Sequence, residues 1–298
     1  MNVHIVLNRD GGTLKTSDPE AIGRMLAAAL TARGHQTSIV TPIGKEISKA
    51  LELAAKDRRV DCLIVGGGDG SVSLAASMCW KYEKVLGVLP AGTMNFFARS
   101  LQLPLDLDAA IEALAVATVC PVDIGTVNGE VFIHQVSIGI QPRMVELRKS
   151  IPYNSRTGKL MASARAAWST LTNPPSFRAK LTSGAVNHSG HYSILAVSNN
   201  VYGDGHLPYA DSLDDGVLGI YSAPRLTFWK NLKLARDMLM GRWTENEHLL
   251  SQSTDSVTIE MLSKIKGRKV SVDGELAPLE RRLDIKLHRR ALKVMMPK

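Results

Sequence analysis

Residues 60–73, VDCLIVGGGDGSVS, constrain the fold more than any other stretch of the chain. After Asp61 the run has no polar alternation, which is the pattern of a strand buried on both faces. Three glycines follow, then Asp69, Gly70 and Ser71, where a helical pattern begins. A two-sided buried strand that runs at once into a helix belongs to a parallel sheet covered by helices. The flanking sequence agrees. Strands are predicted at 3–8, 36–41, 60–66 and 84–90, and helices at 19–33, 45–58, 71–80, 94–101 and 106–117. Asp18 and Pro19 supply a cap and a first helical position, and Gly34 supplies a stop.

The pattern changes after residue 121. Asn128-Gly129 sits between alternating runs at 122–140, which is a hairpin signal. Further strand-like runs are predicted at 176–183, 191–198, 216–222, 256–261, 268–273, 281–287 and 291–296, with helical patterns near 157–172 and 226–240. This half reads as mostly antiparallel β. A length of 298 residues suits two domains. The expected division is an α/β domain over 1–123 and a β-rich domain over 124–287.

The glycine stretch falls at the carboxyl end of its strand, where open α/β sheets bind ligands. Glycines let backbone N–H groups approach an anion, and a helix start adds positive partial charge. A second loop, LPAGTMNFFARSL at 89–101, follows the next strand and offers Gly92, Thr93 and Asn95 just before another helix. Two successive loops of this kind fit a phosphate chain. Two ordinary tight turns are the plainer alternative, but two glycines would suffice for that. No G-K-[ST] follows, so a Walker A loop is excluded, and no acid ends the next strand as a dinucleotide fold requires. Asp69 cannot neutralise a phosphate, so its presence points to a cation between the two; Mg²⁺ takes one or two carboxylates with phosphate oxygens and water. Asp123 is a second candidate for that shell. Asp273, in VSVDGE at 270–275, reads by itself as a β-turn Asp-Gly, although a carboxylate at a strand end can also reach a substrate hydroxyl.

Composition narrows the partners. Net charge is +8, and Lys264–Lys298 carries much of it. Such a face favours a polyanion or an anionic lipid surface, or is simply solvated. Aromatic residues make up 5% and do not interleave with basic ones, which argues against nucleic acid. A second basic set, Arg143, Arg148, Lys149, Arg156 and Lys159, suits lipid headgroups or a solvated loop. The eight histidines show no metal-binding spacing. Cys62, Cys79 and Cys120 are odd in number, widely spaced and in apolar surroundings, which reads as reduced thiols. With no secretory pattern at the N-terminus and no run of about 18 apolar residues, the expectation is a cytoplasmic protein.

GGDGS at 67–71 followed by GTMNFFARSL at 92–101 resembles the diacylglycerol kinase catalytic-domain family, which includes bacterial soluble lipid kinases and the sphingosine and ceramide kinases. VDIGTVNGEVF (122–132), SNNVYGDGHLPYADSLDDGVLGIY (198–221) and VSVDGE extend the resemblance in order and spacing from about residue 3 to 296. It implies an α/β nucleotide domain and a sandwich-like β domain, with residues 288–298 rejoining the first. It implies ATP as donor, a lipid hydroxyl as acceptor, a place in phospholipid metabolism, and peripheral attachment to the inner face of a membrane. The nucleotide loop falls on Gly66, Gly67, Gly68, Asp69, Gly70, Ser71 and Val72; Asn8, Thr41, Gly92, Thr93 and Asn95 complete the ATP set. The general base falls on Asp273, with Glu275 beside it. A structural divalent cation, Mg²⁺ or Ca²⁺, falls on Ser212, Asp215 and the carbonyl of Val217.

The chain departs from the family pattern at Ser73, Leu74 and Phe96, where many members carry Asn, Glu and Asp. These changes remove contributors to a magnesium shell. Two other readings follow: a kinase of a soluble acceptor such as NAD, using the same loop, and a non-catalytic nucleotide- or lipid-binding regulator.

Overall fold

The computed structural model describes residues 1–150, 156–184 and 186–297. The chain divides into two compact units. One comprises Met1–Ile124, Asp211–Gly216 and His288–Lys298; the other comprises Gly125–Ala210 and Val217–Leu287. Asp211–Gly216 therefore belongs with the first unit, although it lies inside the segment that sequence assigned to the second.

The first unit is a parallel sheet with helices. Its strands are β1 (Asn2–Leu7), β2 (Gln36–Val40), β3 (Cys62–Gly67) and β4 (Val85–Pro90), in the order β2-β1-β3-β4. All six residues of β3 are buried, as its unbroken apolar run demands. Val294 near the chain end pairs in parallel with Leu86 of β4. Five helices accompany these strands: α1 (Pro19–Thr31), α2 (Ile47–Lys56), α3 (Asp69–Lys81), α4 (Phe96–Ser100) and α5 (Leu107–Ala115). Asp18 caps α1 by accepting from the Ala21 amide, and Asp106 caps α5 through Ala109. Leu26 and Leu30 of α1, Leu51 of α2 and Ala75, Ala76 and Cys79 of α3 face the core, the last three being small enough for close helix–sheet approach. Helix α3 starts at Asp69 rather than Ser71, because Gly68 is extended (φ −84°, ψ 175°) and the chain turns helical immediately after it. Asp69 and Gly70 thus sit in the first helical turn. All three cysteines are free thiols; Cys62 and Cys79 are buried, and desolvation pushes the Cys62 thiol up to about 12.

In the second unit two antiparallel sheets enclose one core. β5 (Thr118–Val127) enters from the first unit and pairs with β6 (Glu130–Phe132) across Asn128-Gly129, both at positive φ (49° and 87°), the geometry of a two-residue hairpin. The chain continues through β7 (Gln135–Gly139), α6 (Ile140–Ser150), α7 (Arg156–Thr172), β8 (Phe177–Ser183), β9 (Val186–Tyr192), β10 (Ile194–Asn199), β11 (Leu218–Ala223), α8 (Phe228–Leu239), β12 (Leu250–Thr254), β13 (Ser256–Met261), β14 (Lys269–Val272), β15 (Glu275–Pro278) and β16 (Arg282–Met296). One sheet runs β12-β11-β10-β7-β14-β15; the other places β16, β13, β8 and β9 side by side. Val136, Ile138, Leu195, Val197, Val270 and Val272 from the first sheet meet Val257, Ile259, Leu283 and Ile285 from the second. Alternate residues of each strand face this core, as period-two patterning predicts.

Sequence reading did not find α6, β9, β12 or β15. It also predicted separate strands at 281–287 and 291–296, which are one strand, β16. Arg290 adopts φ +50° within it and interrupts the alternation, which is why the pattern reads as two pieces.

Candidate active site

Three loops of the first unit lie at the carboxyl ends of neighbouring parallel strands: residues 8–13 after β1, 67–70 after β3 and 91–95 after β4. They are held by backbone bonds. The Asn8 amide donates to Gly66 O (2.9 Å), the Ala91 amide to Gly67 O (3.2 Å) and the Thr13 amide to Ala91 O (2.8 Å). The Asn8 side chain donates to Ser71 Oγ (3.0 Å). A Cβ on Gly92 would stand 2.8 Å from Gly68 Cα, so the second and third loops are back to back. Gly12 is tighter still: at φ +46° its Cβ would lie 1.8 Å from Ala91 O. The amides of Asp69 and Gly70 open helix α3, where intrahelical partners are lacking. Four of the expected nucleotide residues, Gly66, Gly67, Gly68 and Gly92, are thus the backbone of one concave edge.

The side chains in this cradle have definite partners. Asn95 is left-handed (φ 54°); its Oδ1 accepts from the Gly92 amide (2.8 Å) and its Nδ2 donates to Gly92 O (3.0 Å), which closes the third loop on itself. Asp69 Oδ2 accepts from the Asn95 amide (3.1 Å) and Oδ1 from the Phe96 amide (2.8 Å). An acid inside a phosphate-type loop therefore has a structural explanation: it ties the start of α4 to the start of α3. Thr93 is exposed, and Val72 is buried. The Thr41 hydroxyl donates to Glu20 Oε1 (3.0 Å) and accepts from Arg9, which is itself ion-paired with Glu20. Arg9 and Glu20 were not singled out from sequence; the N-R-D-G-G-T loop, which keeps Asn8 and the family's glycines, was the available signal.

Asp123 is fully buried and serves as a latch. Its Oδ2 accepts from the Gly216 amide (2.7 Å) and its Oδ1 from the Arg290 amide (2.7 Å), while its own amide donates to Leu213 O (2.7 Å). The segment expected to hold a structural cation is adjacent. There Ser212 Oγ donates to Asp214 Oδ1 (3.1 Å), Arg290 pairs with Asp214 (3.2 Å), and Arg289 donates to Gly216 O (3.1 Å). Asp215 is exposed, and Val217 begins the second unit. Two guanidinium groups thus supply positive charge where the resemblance places a divalent ion, and Ser212 is spent on Asp214. Among the described residues no group of three or more His, Cys, Asp or Glu is arranged to hold a metal.

In the second unit, Asp273 and Gly274 form the β14–β15 turn, at φ 47° and 89°. The Asp273 carboxylate is buried and accepts from three backbone amides: Ile133 to Oδ2 (2.9 Å), His134 to Oδ1 (2.9 Å) and Gln135 to Oδ1 (2.9 Å). Glu275 is exposed. Beside them His134 packs against Tyr202, whose hydroxyl donates to Gln135 Oε1 (2.7 Å). The rim of the His134 residue reaches solvent, but its Nε2 is buried, and burial holds the imidazole down to about 3. The ring is therefore neutral at physiological pH and adds no charge next to Asp273. The folded value lies below the unfolded value of about 6.5. Neutral His134 thus contributes stability that is fully present above about pH 6.5 and is lost as pH falls toward about 3. Urea midpoints measured from about pH 7 to pH 4 should fall more steeply for wild type than for His134→Gln; equal slopes would refute this.

Residues 2–127 match the family model described as the diacylglycerol kinase catalytic domain. A diacylglycerol kinase of Bacillus subtilis is 26% identical over 297 residues, covering 95% of this chain and 94% of that protein. The crystal structure of a diacylglycerol kinase from Bacillus anthracis shares the fold, with a TM-score of 0.71 at 20% identity, over 99% of this chain and 96% of that one. The family expected from the motifs and the α/β-plus-β architecture are both borne out. The matched family is one of kinases, hence phosphotransferases.

Proposed function

We propose that the protein transfers the γ-phosphoryl group of ATP, bound with Mg²⁺ as part of the substrate, to a hydroxyl of a lipid at a membrane surface. The observation that carries this is the cradle formed by the 67–70 and 91–95 loops, whose N–H groups sit at a helix start and suit a phosphate chain. In this reading Gly66–Val72, Gly92 and Asn95 bind backbone-first, and the exposed Thr93 hydroxyl donates to a phosphate oxygen. Asn8 and Thr41 keep the cradle in shape. Asp69 fixes the two loops rather than neutralising charge. Asp273 is the general base, taking the proton of the acceptor hydroxyl as it attacks phosphorus. Its three amides orient the carboxylate. Alignment and charge stabilisation supply the rest of the rate, as phosphoryl transfer generally requires. The B. subtilis relative, a diacylglycerol kinase, supports a lipid acceptor.

The test is transfer of label from γ-labelled ATP to mixed lipids in vesicles. Label in the organic phase, dependent on protein, is the expected result. Label on a water-soluble product would instead support a soluble acceptor. ATP binding with no transfer to any lipid class would support a regulator.

A further inference from the structure

Among the described residues, the second unit carries an exposed apolar stripe. On α8, Trp229, Leu232 and Leu239 recur at helical spacing, with Trp229 75% and Leu239 76% exposed, and Met240 continues the stripe. The opposite face of the helix buries Asn231, Leu234 and Asp237, so the larger apolar side chains of α8 lie on its exposed face, interspersed with the exposed Lys233 and Arg236. Trp168 of α7, 62% exposed, extends the stripe through an edge contact with Phe228 (5.0 Å). Scattered exposed apolar residues are ordinary, but a contiguous set with two tryptophans marks an interaction surface.

The charge beside the stripe identifies what covers it. A cavity of about 400 Å³ opens where α7 ends and the chain approaches α8, lined by Arg143, Arg225, Arg268, Lys269, Glu146 and the Asn173–Ser176 turn. Four cations face one acid there. Among the described residues no salt bridge involves Arg143, Arg225, Arg268 or Lys269; Arg268 donates to Ser176 O (3.0 Å), and Arg143 and Arg225 are exposed. The side chains of Arg148, Lys149, Arg156 and Lys159, named with Arg143 from sequence, lie outside the described residues. Lys230 adds an exposed cation on α8. Tryptophan favours the bilayer–water interface, and basic side chains favour anionic headgroups. No helix among the described residues is long and apolar enough to cross a membrane.

We propose that the second unit docks on an anionic bilayer through Trp168, Trp229, Leu232 and Leu239, and that the Arg143–Arg225–Arg268–Lys269 cavity receives a phospholipid phosphate at the same surface. The helix lies in the interface with its stripe among the acyl chains, as an amphipathic surface helix does. This deepens the lipid reading, and its test measures binding alone, so that failed docking and failed phosphoryl transfer are separate results.

Wild type is titrated with vesicles of phosphatidylcholine and of phosphatidylcholine with an equal part of phosphatidylglycerol. Trp168 and Trp229 should shift emission to the blue on the anionic vesicles; Trp243 is already buried. Trp168→Ala/Trp229→Ala should weaken partitioning at least about 10-fold, and the exposed Leu239→Ser repeats the test if that variant does not fold. Arg143→Gln/Arg225→Gln should erase most of the preference for anionic over zwitterionic vesicles, about 10-fold or more. The proposal is overturned if partitioning is unchanged in these variants. It is also overturned if the arginine pair binds inorganic phosphate or glycerol phosphate while vesicles do not bind, which would make the cavity a soluble-phosphate site. Dimerisation that is abolished by Trp229→Ala, without vesicle binding, would place a second copy on the stripe and overturn it as well.

Discussion

Asp273→Asn is expected to slow lipid phosphorylation by about 10²- to 10⁴-fold, the range a lost general base produces. The substitution removes the proton acceptor and leaves the turn in place. It also sets an amide NH₂ where Oδ2 now accepts from the Ile133 N–H, so two donors face one another. That mismatch should cost about 1–3 kcal/mol of stability. The two effects separate in measurement. The KM for ATP should change little, because the bonds that hold the nucleotide cradle run among residues 8–13, 66–71 and 91–96. Turnover of fully folded protein, normalised by a melting curve, should still carry the whole loss. If normalised turnover equals wild type, Asp273 is a turn-builder only and the base lies elsewhere.

Gly12→Ala should weaken nucleotide binding by about 100-fold or more. The new Cβ would sit 1.8 Å from Ala91 O, and φ +46° is a strained conformation for a side chain. Left-handed strain alone costs about 1–3 kcal/mol. Relief requires the 8–13 loop to retreat from Ala91, which breaks the Thr13–Ala91 bond and opens the cradle at the third loop. Gly34→Ala is the control: it also has positive φ, but nothing stands within 4 Å of its Cβ. Titration with a fluorescent ATP analogue measures both. Retained affinity in Gly12→Ala would show that the first loop takes no part in holding nucleotide.

The parallel sheet of the first unit was legible because β3 is a bare apolar run and helix α1 is bounded by a cap at Asp18 and a stop at Gly34. The phosphate-type loops were legible for the same reason, since clustered glycines at a strand end have few other uses. The role of Asp69 was not. Its partners, the Asn95 and Phe96 amides, lie about 26 residues away, and backbone amides leave no mark in a sequence. Asp123 is similar: a lone acid on an apolar strand suggests chemistry, and only the fold shows its two oxygens satisfied by Gly216 and Arg290. Around Ser212, Asp215 and Val217, where the resemblance places a cation, Arg289 and Arg290 arrive from a distant strand to bond Gly216 O and Asp214, and no local sequence pattern shows that approach. Helix α6 was missed because Gly139, Pro142 and a run of charges mask its period.

Asp123 also sets a schedule for the growing chain. Its carboxylate waits for residue 216 and then for residue 290, and β4 waits for Val294. Synthesis from the N-terminus therefore delivers the nucleotide fold's first 124 residues long before the parts that finish it. Until the last strand emerges, a buried carboxylate has neither partner, and β4 presents an open edge. A chain ending at residue 287 should show weak protection of the β4 amides in hydrogen exchange even though β1 to β4 are all present; full protection would mean that the nucleotide fold matures without its closing strand. The order of events at the ribosome, and the window in which a chaperone has something to hold, would follow from one acid.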